Sequence, residues 1–156
     1  MNRGILLVGV GAIAALALST SGGTAARADT MASQTAPTVV VPSAVKWQPV
    51  QGMTGLESAV IYGDPSKAGS AYVMRYRAAD GFKFPAHTHP GLEEVTVLSG
   101  TFEVGVGDTF DASKMTALPA GSYVEIPPAV PHYGQAKGEV VLEVHGVGPY
   151  RLDLVK

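Results

Sequence analysis

From Val45 onward the chain never sustains a helical repeat. Short apolar or alternating runs follow one another, and each is cut by Gly or Pro. A packed helix needs ten or more residues at a period of about 3.6, whereas runs of four to eight between turn residues belong to strands. With 19 Gly and 11 Pro in 156 residues, the chain has breakers to spare. The pattern predicts strands at Ser58–Tyr62, Ala71–Ala78, Lys83–Thr88, Glu93–Leu98, Thr101–Val106, Met115–Leu118, Tyr123–Ile126, Tyr133–Gln135 and Val140–His145. Gly63-Asp64-Pro65, Asp80-Gly81, Ser99-Gly100, Gly107-Asp108, Pro119-Ala120-Gly121, Pro127-Pro128 and Lys137-Gly138 supply the turns between them. Asp111 to Lys114 is at most a single helical turn. The fold class that follows is all-β, as a sandwich or barrel.

The length suits one domain of ordinary size. A formal net charge of −2 with no Lys/Arg cluster argues against nucleic acid as a partner. Without cysteine there is no disulfide, no thiolate ligand and no catalytic thiol. Chemistry is left to His, Asp/Glu, Tyr, Ser/Thr or a bound cofactor.

The N-terminal segment reads as an address. Met1-Asn2-Arg3 is a positive start, Ile5 to Leu18 is an unbroken apolar run, and Ala26-Arg27-Ala28 ends a small, polar stretch. These are the three parts of a secretory signal peptide. Fourteen residues, at about 1.5 Å each, fall short of a hydrocarbon core about 30 Å thick. Residues 1–28 are therefore expected to be cleaved, which leaves 29–156 exported to the periplasm or beyond with no stable membrane anchor. Residues 29–44 form a flexible lead-in, in which Val39-Val40-Val41 offers an edge strand, and 45–156 form the barrel domain.

In the predicted second strand, Tyr72, Met74 and Tyr76 share one face and Val73, Arg75 and Arg77 the other. The first set is expected to look inward. Four histidines remain: His87, His89, His132 and His145. His87 and His89 stand at i and i+2, so in a strand both rings leave the same face and can converge on one ion. Pro90-Gly91 turns the chain, and Glu93-Glu94 opens the next strand beside them. The two carboxylates point to opposite faces, so one of them can be a third ligand. Imidazole nitrogens with a carboxylate oxygen suit Fe, Mn, Ni, Zn or Cu better than Ca or Mg. A second string, Gly121 to His132, bends through Pro127, Pro128 and Pro131 and ends by presenting another histidine.

In these two strings the chain resembles the cupin superfamily. Gly81, His87, His89, Glu93 and Gly100 fit the first cupin motif, G-x5-H-x-H-x3,4-E-x6-G, and the spacing to Gly100 selects Glu93 over Glu94. Gly121, Pro127 and His132 fit the second, G-x5-P-x-G-x2-H-x3-N. Ala129 stands where that motif has Gly, which tightens the bend. Ala136 stands where it has Asn, which removes a polar side chain near the site. The resemblance implies a single jelly-roll β-barrel with one divalent transition metal on His87, His89, Glu93 and His132. Glu93 is then a candidate acid/base as well as a ligand, a role that some cupins give this residue. Tyr72, Tyr76, Thr96, Tyr123 and Arg75 are possible pocket residues. His145, which the motifs do not require, reads as an ordinary exposed histidine.

Three imidazoles and a carboxylate leave open positions on a six-coordinate ion. The expectation is a small-molecule metalloenzyme of dioxygenase, isomerase or lyase type. The alternative is a non-catalytic module that binds or senses a small molecule or metal, since fold does not choose between them. Cupins often pair through N-terminal strands, so a homodimer is compatible with either.

Overall fold

The computed structural model describes residues 36–155. The expected signal peptide, residues 1–28, and the first part of the lead-in lie outside the described residues. The barrel is contained in the unit Val40–Lys156. Among the described residues a 3-10 turn at Pro42–Ala44 leads into nine strands: β1 (Gln48–Pro49), β2 (Leu56–Gly63), β3 (Ala71–Ala78), β4 (Lys83–Thr88), β5 (Glu93–Val106), β6 (Thr116–Pro119), β7 (Tyr123–Ile126), β8 (His132–Val147) and β9 (Asp153–Leu154). The only other helical piece among the described residues is a 3-10 turn at Ala112–Lys114, whose N-terminal N–H group on Ser113 is capped by the Asp111 carboxylate at 3.0 Å. Every strand pairing among the described residues is antiparallel, and together they make a curled all-β sheet, as the breaker pattern implies, of the jelly-roll kind implied by the cupin resemblance.

Two strands each join two of the predicted ones. Ser99-Gly100 and Lys137-Gly138 were expected as turns, but β5 and β8 run straight through them. At these points the two strands bend together. Gly100 and Gly138 take φ of +75° and +74°, and the register between β5 and β8 slips on either side of Ser99. A Cβ on Gly100 would collide with the Glu139 carbonyl, so the corner needs glycine. The bend lets β8 join both halves of the barrel. Its C-terminal part pairs β3, its N-terminal part pairs β4, and β5 follows it along both. The predicted edge strand at Val39–Val41 does not form. The edge belongs to the two-residue β1, and Val39 and Val41 are exposed.

Alternation along each strand fills the interior. Tyr72 and Met74 of β3, Val95 and Val97 of β5, and Leu142 and Val144 of β8 are buried, and their neighbours face outward. Phe84 meets Phe82 and Phe102 edge to face, with centroids 4.8 and 5.6 Å apart. Ala136, expected near the site, packs in this apolar core instead, and its N–H bonds the Phe82 carbonyl at 2.9 Å. On the outer face Arg75 pairs with Glu143 at 2.7 Å, which takes Arg75 out of the list of pocket residues.

Candidate metal centre

Strict alternation from Phe84 would send His87 outward. The pairing of β4 with β8 slips between Phe84 and His87, where Pro85 offers no N–H to the ladder. The irregularity turns Phe84, His87 and His89 all inward, and all three are buried. His132, the first residue of β8, is the cross-strand partner of His87. The bend that delivers it is tied to the β4 end, because the Ala129 N–H bonds the His89 carbonyl at 2.9 Å. Ala129 holds φ of +61°, a left-handed conformation that costs a residue with a Cβ. The loss of the motif glycine is thus carried as backbone strain.

The strand phase of β5 decides between the two carboxylates. Glu93 falls in with Val95 and Val97 and is buried. Glu94 faces outward with Thr96, and accepts a hydrogen bond from Tyr123 at 2.9 Å. Thr96 and Tyr123 therefore lie on the outer surface and are corrected as pocket residues. His145 is on the same outer side, 3.2 Å from Glu143. Tyr72 is buried, but it packs against Tyr150 rather than lining the central cavity; Tyr76 does line it.

The rings of His87, His89 and His132 offer nitrogens that all lie within 4.8 Å of one another. Each ring is held by its other nitrogen. Nδ1 of His87 donates to the Pro85 carbonyl at 2.7 Å, Nδ1 of His89 to Arg151 at 2.7 Å, and Nδ1 of His132 to Val130 at 3.0 Å. Carbonyls only accept, so the proton sits on Nδ1 and leaves the Nε2 lone pairs free for a cation. Glu93 bridges two of them, with its carboxylate oxygens 3.3 Å from Nε2 of His89 and of His132. The contact to His89 lacks hydrogen-bond geometry, and that buried Nε2 has no hydrogen-bond partner. An orphaned buried imidazole nitrogen facing a carboxylate is what a divalent transition metal would satisfy.

Burial pushes His87 down to about 4, helped by the neighbouring His132 and His89 and opposed by the Pro85 carbonyl. Burial would raise Glu93, but His132 and His89 outweigh it and hold the carboxyl at about 2. In His89 burial pulls downward and Glu93 more than compensates, so its affinity for a proton rises. Burial thus favours the neutral form of His87, and the two neighbouring imidazoles favour the anionic form of Glu93.

The cluster forms one wall of a cavity of about 200 Å³. His87, Glu93 and His132 line it together with aliphatic and aromatic side chains from several strands. Residues 35–151, most of the chain, match the ChrR cupin-like domain. The chain belongs to the ChrR cupin-like family. No curated protein matches it in sequence. Among solved structures this cupin is similar to an RmlC-like cupin from Shewanella frigidimarina, at 18% identity and TM-score 0.57 over 72% of this chain and 91% of that one. It is also similar to the polyketide cyclase RemF from Streptomyces resistomycificus, at 18% identity and TM-score 0.63 over 76% and 84% of the two chains. A salicylate 1,2-dioxygenase from Pseudoaminobacter salicylatoxidans follows, at 19% identity and TM-score 0.55 over 69% of this cupin and 31% of that chain. At such identities the likeness is one of fold.

Two contributors to the site escaped the sequence reading. Tyr150 stacks on His89, with centroids 5.1 Å apart and planes at 25°, and Arg151 supplies the carbonyl that holds the same ring. β9 then pairs with His87 and Thr88. The segment Gly146 to Pro149 carries turn residues, and nothing local to it signals a partnership with residues some sixty positions earlier.

Proposed function

We propose that this cupin is an exported small-molecule metalloenzyme of dioxygenase, isomerase or lyase type, with one divalent transition metal (Fe, Mn, Ni, Zn or Cu) held by His87, His89, Glu93 and His132. The observation that carries the reading is the set of three imidazoles fixed through Nδ1, with a buried carboxylate between their Nε2 edges, at the wall of an apolar cavity. Export rests on the pattern of residues 1–28.

A bound metal would supply Lewis acidity and, if redox-active, electron transfer. The chain's own residues bind, orient and exclude water. The cavity walls keep solvent from the reacting atoms, and the three anchored rings fix where a substrate oxygen can approach. Glu93, held at about 2, is a weak base while both imidazoles contact it. It accepts a substrate proton at Oε1 or Oε2 only by leaving one of them, so it serves first as ligand and second as acid/base. Tyr76 and Tyr150 are raised by burial and stay protonated, which makes them hydrogen-bond donors.

A non-catalytic binding or sensing module is the second reading. What favours it is that, among the described residues, the cavity-lining titratable side chains are the proposed ligands and tyrosines, with no separate base. Metal analysis of the exported protein separates these ideas in order. About one transition metal per chain, lost in the His87→Ala/His89→Ala double variant, supports the site; substoichiometric metal unchanged by that variant refutes it. Oxygen uptake, or turnover of diketones under any metal loading, then favours the enzyme. Tight small-molecule binding without turnover favours the module.

A further inference from the structure

The central cavity has a polar end and an apolar end. At the polar end stand His87, His132 and Glu93. The Tyr76 and Tyr150 hydroxyls approach one another there within the field of the Glu93 carboxylate, and the Tyr150 ring lies stacked on His89. Tyr133 also lines the cavity, but its hydroxyl is committed to the Asp111 carbonyl at 3.2 Å. The remaining walls are aliphatic and aromatic, with Leu56, Phe84, Phe102 and Leu142 among them. Among the described residues no Lys, Arg, Asn, Gln, Ser or Thr side chain lines the space. A polar group lodged against these walls would therefore lose its water and find no partner.

The volume sets the size. About 200 Å³ is below the usual range of sites for drug-sized ligands, and an apolar cavity of about 150 Å³ is enough for benzene. We propose that the cavity takes a compact molecule of about one six-membered ring, apolar over most of its surface, whose oxygen atoms all sit at one end, where the paired Tyr76 and Tyr150 hydroxyls hydrogen-bond it. Sugars, dicarboxylates and fused-ring compounds are excluded by this architecture. The assignment builds on the metal-site reading, because the oxygen end faces the proposed ligands, but the selection for size and for an apolar tail resides in the walls.

Three probes with the same head and different tails test it: catechol, 3,4-dihydroxybenzoate, whose charge lies at the far end, and 2,3-dihydroxynaphthalene, which adds a second ring. Calorimetric titration of the full chain, metal-loaded and after chelation, should show catechol binding at least tenfold tighter than either of the others. Tyr76→Phe and Tyr150→Phe should each weaken catechol about fivefold or more, with the metal content of the loaded protein unchanged. The proposal is overturned if either larger or charged-tail probe binds as tightly as catechol, if catechol binds in neither form, or if both Phe variants bind it like the wild type. Failure of metal loading alone strikes the metal-site reading, and the chelated protein then still reports on the walls.

Discussion

His87 ties acid stability to the candidate metal centre. In an unfolded chain its imidazole takes a proton near 6.5, whereas in the fold burial holds it down to about 4. Between those values the unfolded chain binds a proton that the fold refuses, so acidification favours unfolding. The stability is complete above about 6.5 and is lost as pH falls through about 4. The gap corresponds to about 3 kcal/mol at roughly 1.4 kcal/mol per pH unit. Glu93 adds a loss of the same sign at lower pH, between 4.5 and about 2. His89, whose affinity for a proton is raised, acts above 6.5 and in the opposite sense: its contribution is present below that value and fades as pH rises through its folded value. The window between 6.5 and 4 therefore belongs to His87. Urea unfolding of chelated protein and of its His87→Gln variant, from about pH 7.5 to about pH 4, isolates the effect, because glutamine stays neutral as His87 does in the fold. The stability advantage of wild type over variant should shrink by about 3 kcal/mol across the window. An advantage that is flat, or that grows on acidification, would refute the burial of a neutral His87. Added metal should hold the advantage to lower pH, because the cation competes with the proton.

Other substitutions probe the frame around the site. Ala129→Gly relieves the φ of +61° and should stabilise the protein by about 1 kcal/mol in urea, net of the entropy that glycine adds to the unfolded chain. Gly134→Ala places a Cβ into the Phe102 ring and should cost about 1–3 kcal/mol, read as a lower melting temperature. Tyr150→Leu removes the ring stacked on His89 and should weaken metal binding about 10-fold or more in a chelator competition, with secondary structure by circular dichroism unchanged. His145→Gln, on the outer face, should leave metal affinity unaltered and change stability by no more than about 0.5 kcal/mol.

The sequence carried the fold class because strand length and turn chemistry are local properties. Gly and Pro fix backbone conformation whatever the rest of the chain does, and alternation fixes which residues share a face. The same locality made the two His strings readable, with His87, His89, Glu93 and His132 at motif spacing. Tertiary structure decided what depends on residues far apart in the chain. Gly100 and Gly138 looked like turns because glycine at positive φ serves a turn and a strand corner equally; the pairing of β5 with β8 makes them corners. Tyr123 and Thr96 looked available for a pocket until strand phase put them outside with Glu94. Tyr150 and the Arg151 carbonyl reach His89 only because the chain after β8 folds back onto β4, a contact that costs loop closure and leaves no periodic mark in the sequence. The sequence by itself determined an all-β fold, a barrel through its resemblance to cupins, and the residues able to ligate a metal. Packing alone decided that those residues have free Nε2 edges, a buried carboxylate between them and a small apolar cavity alongside, because orientation, burial and volume exist only once distant strands meet.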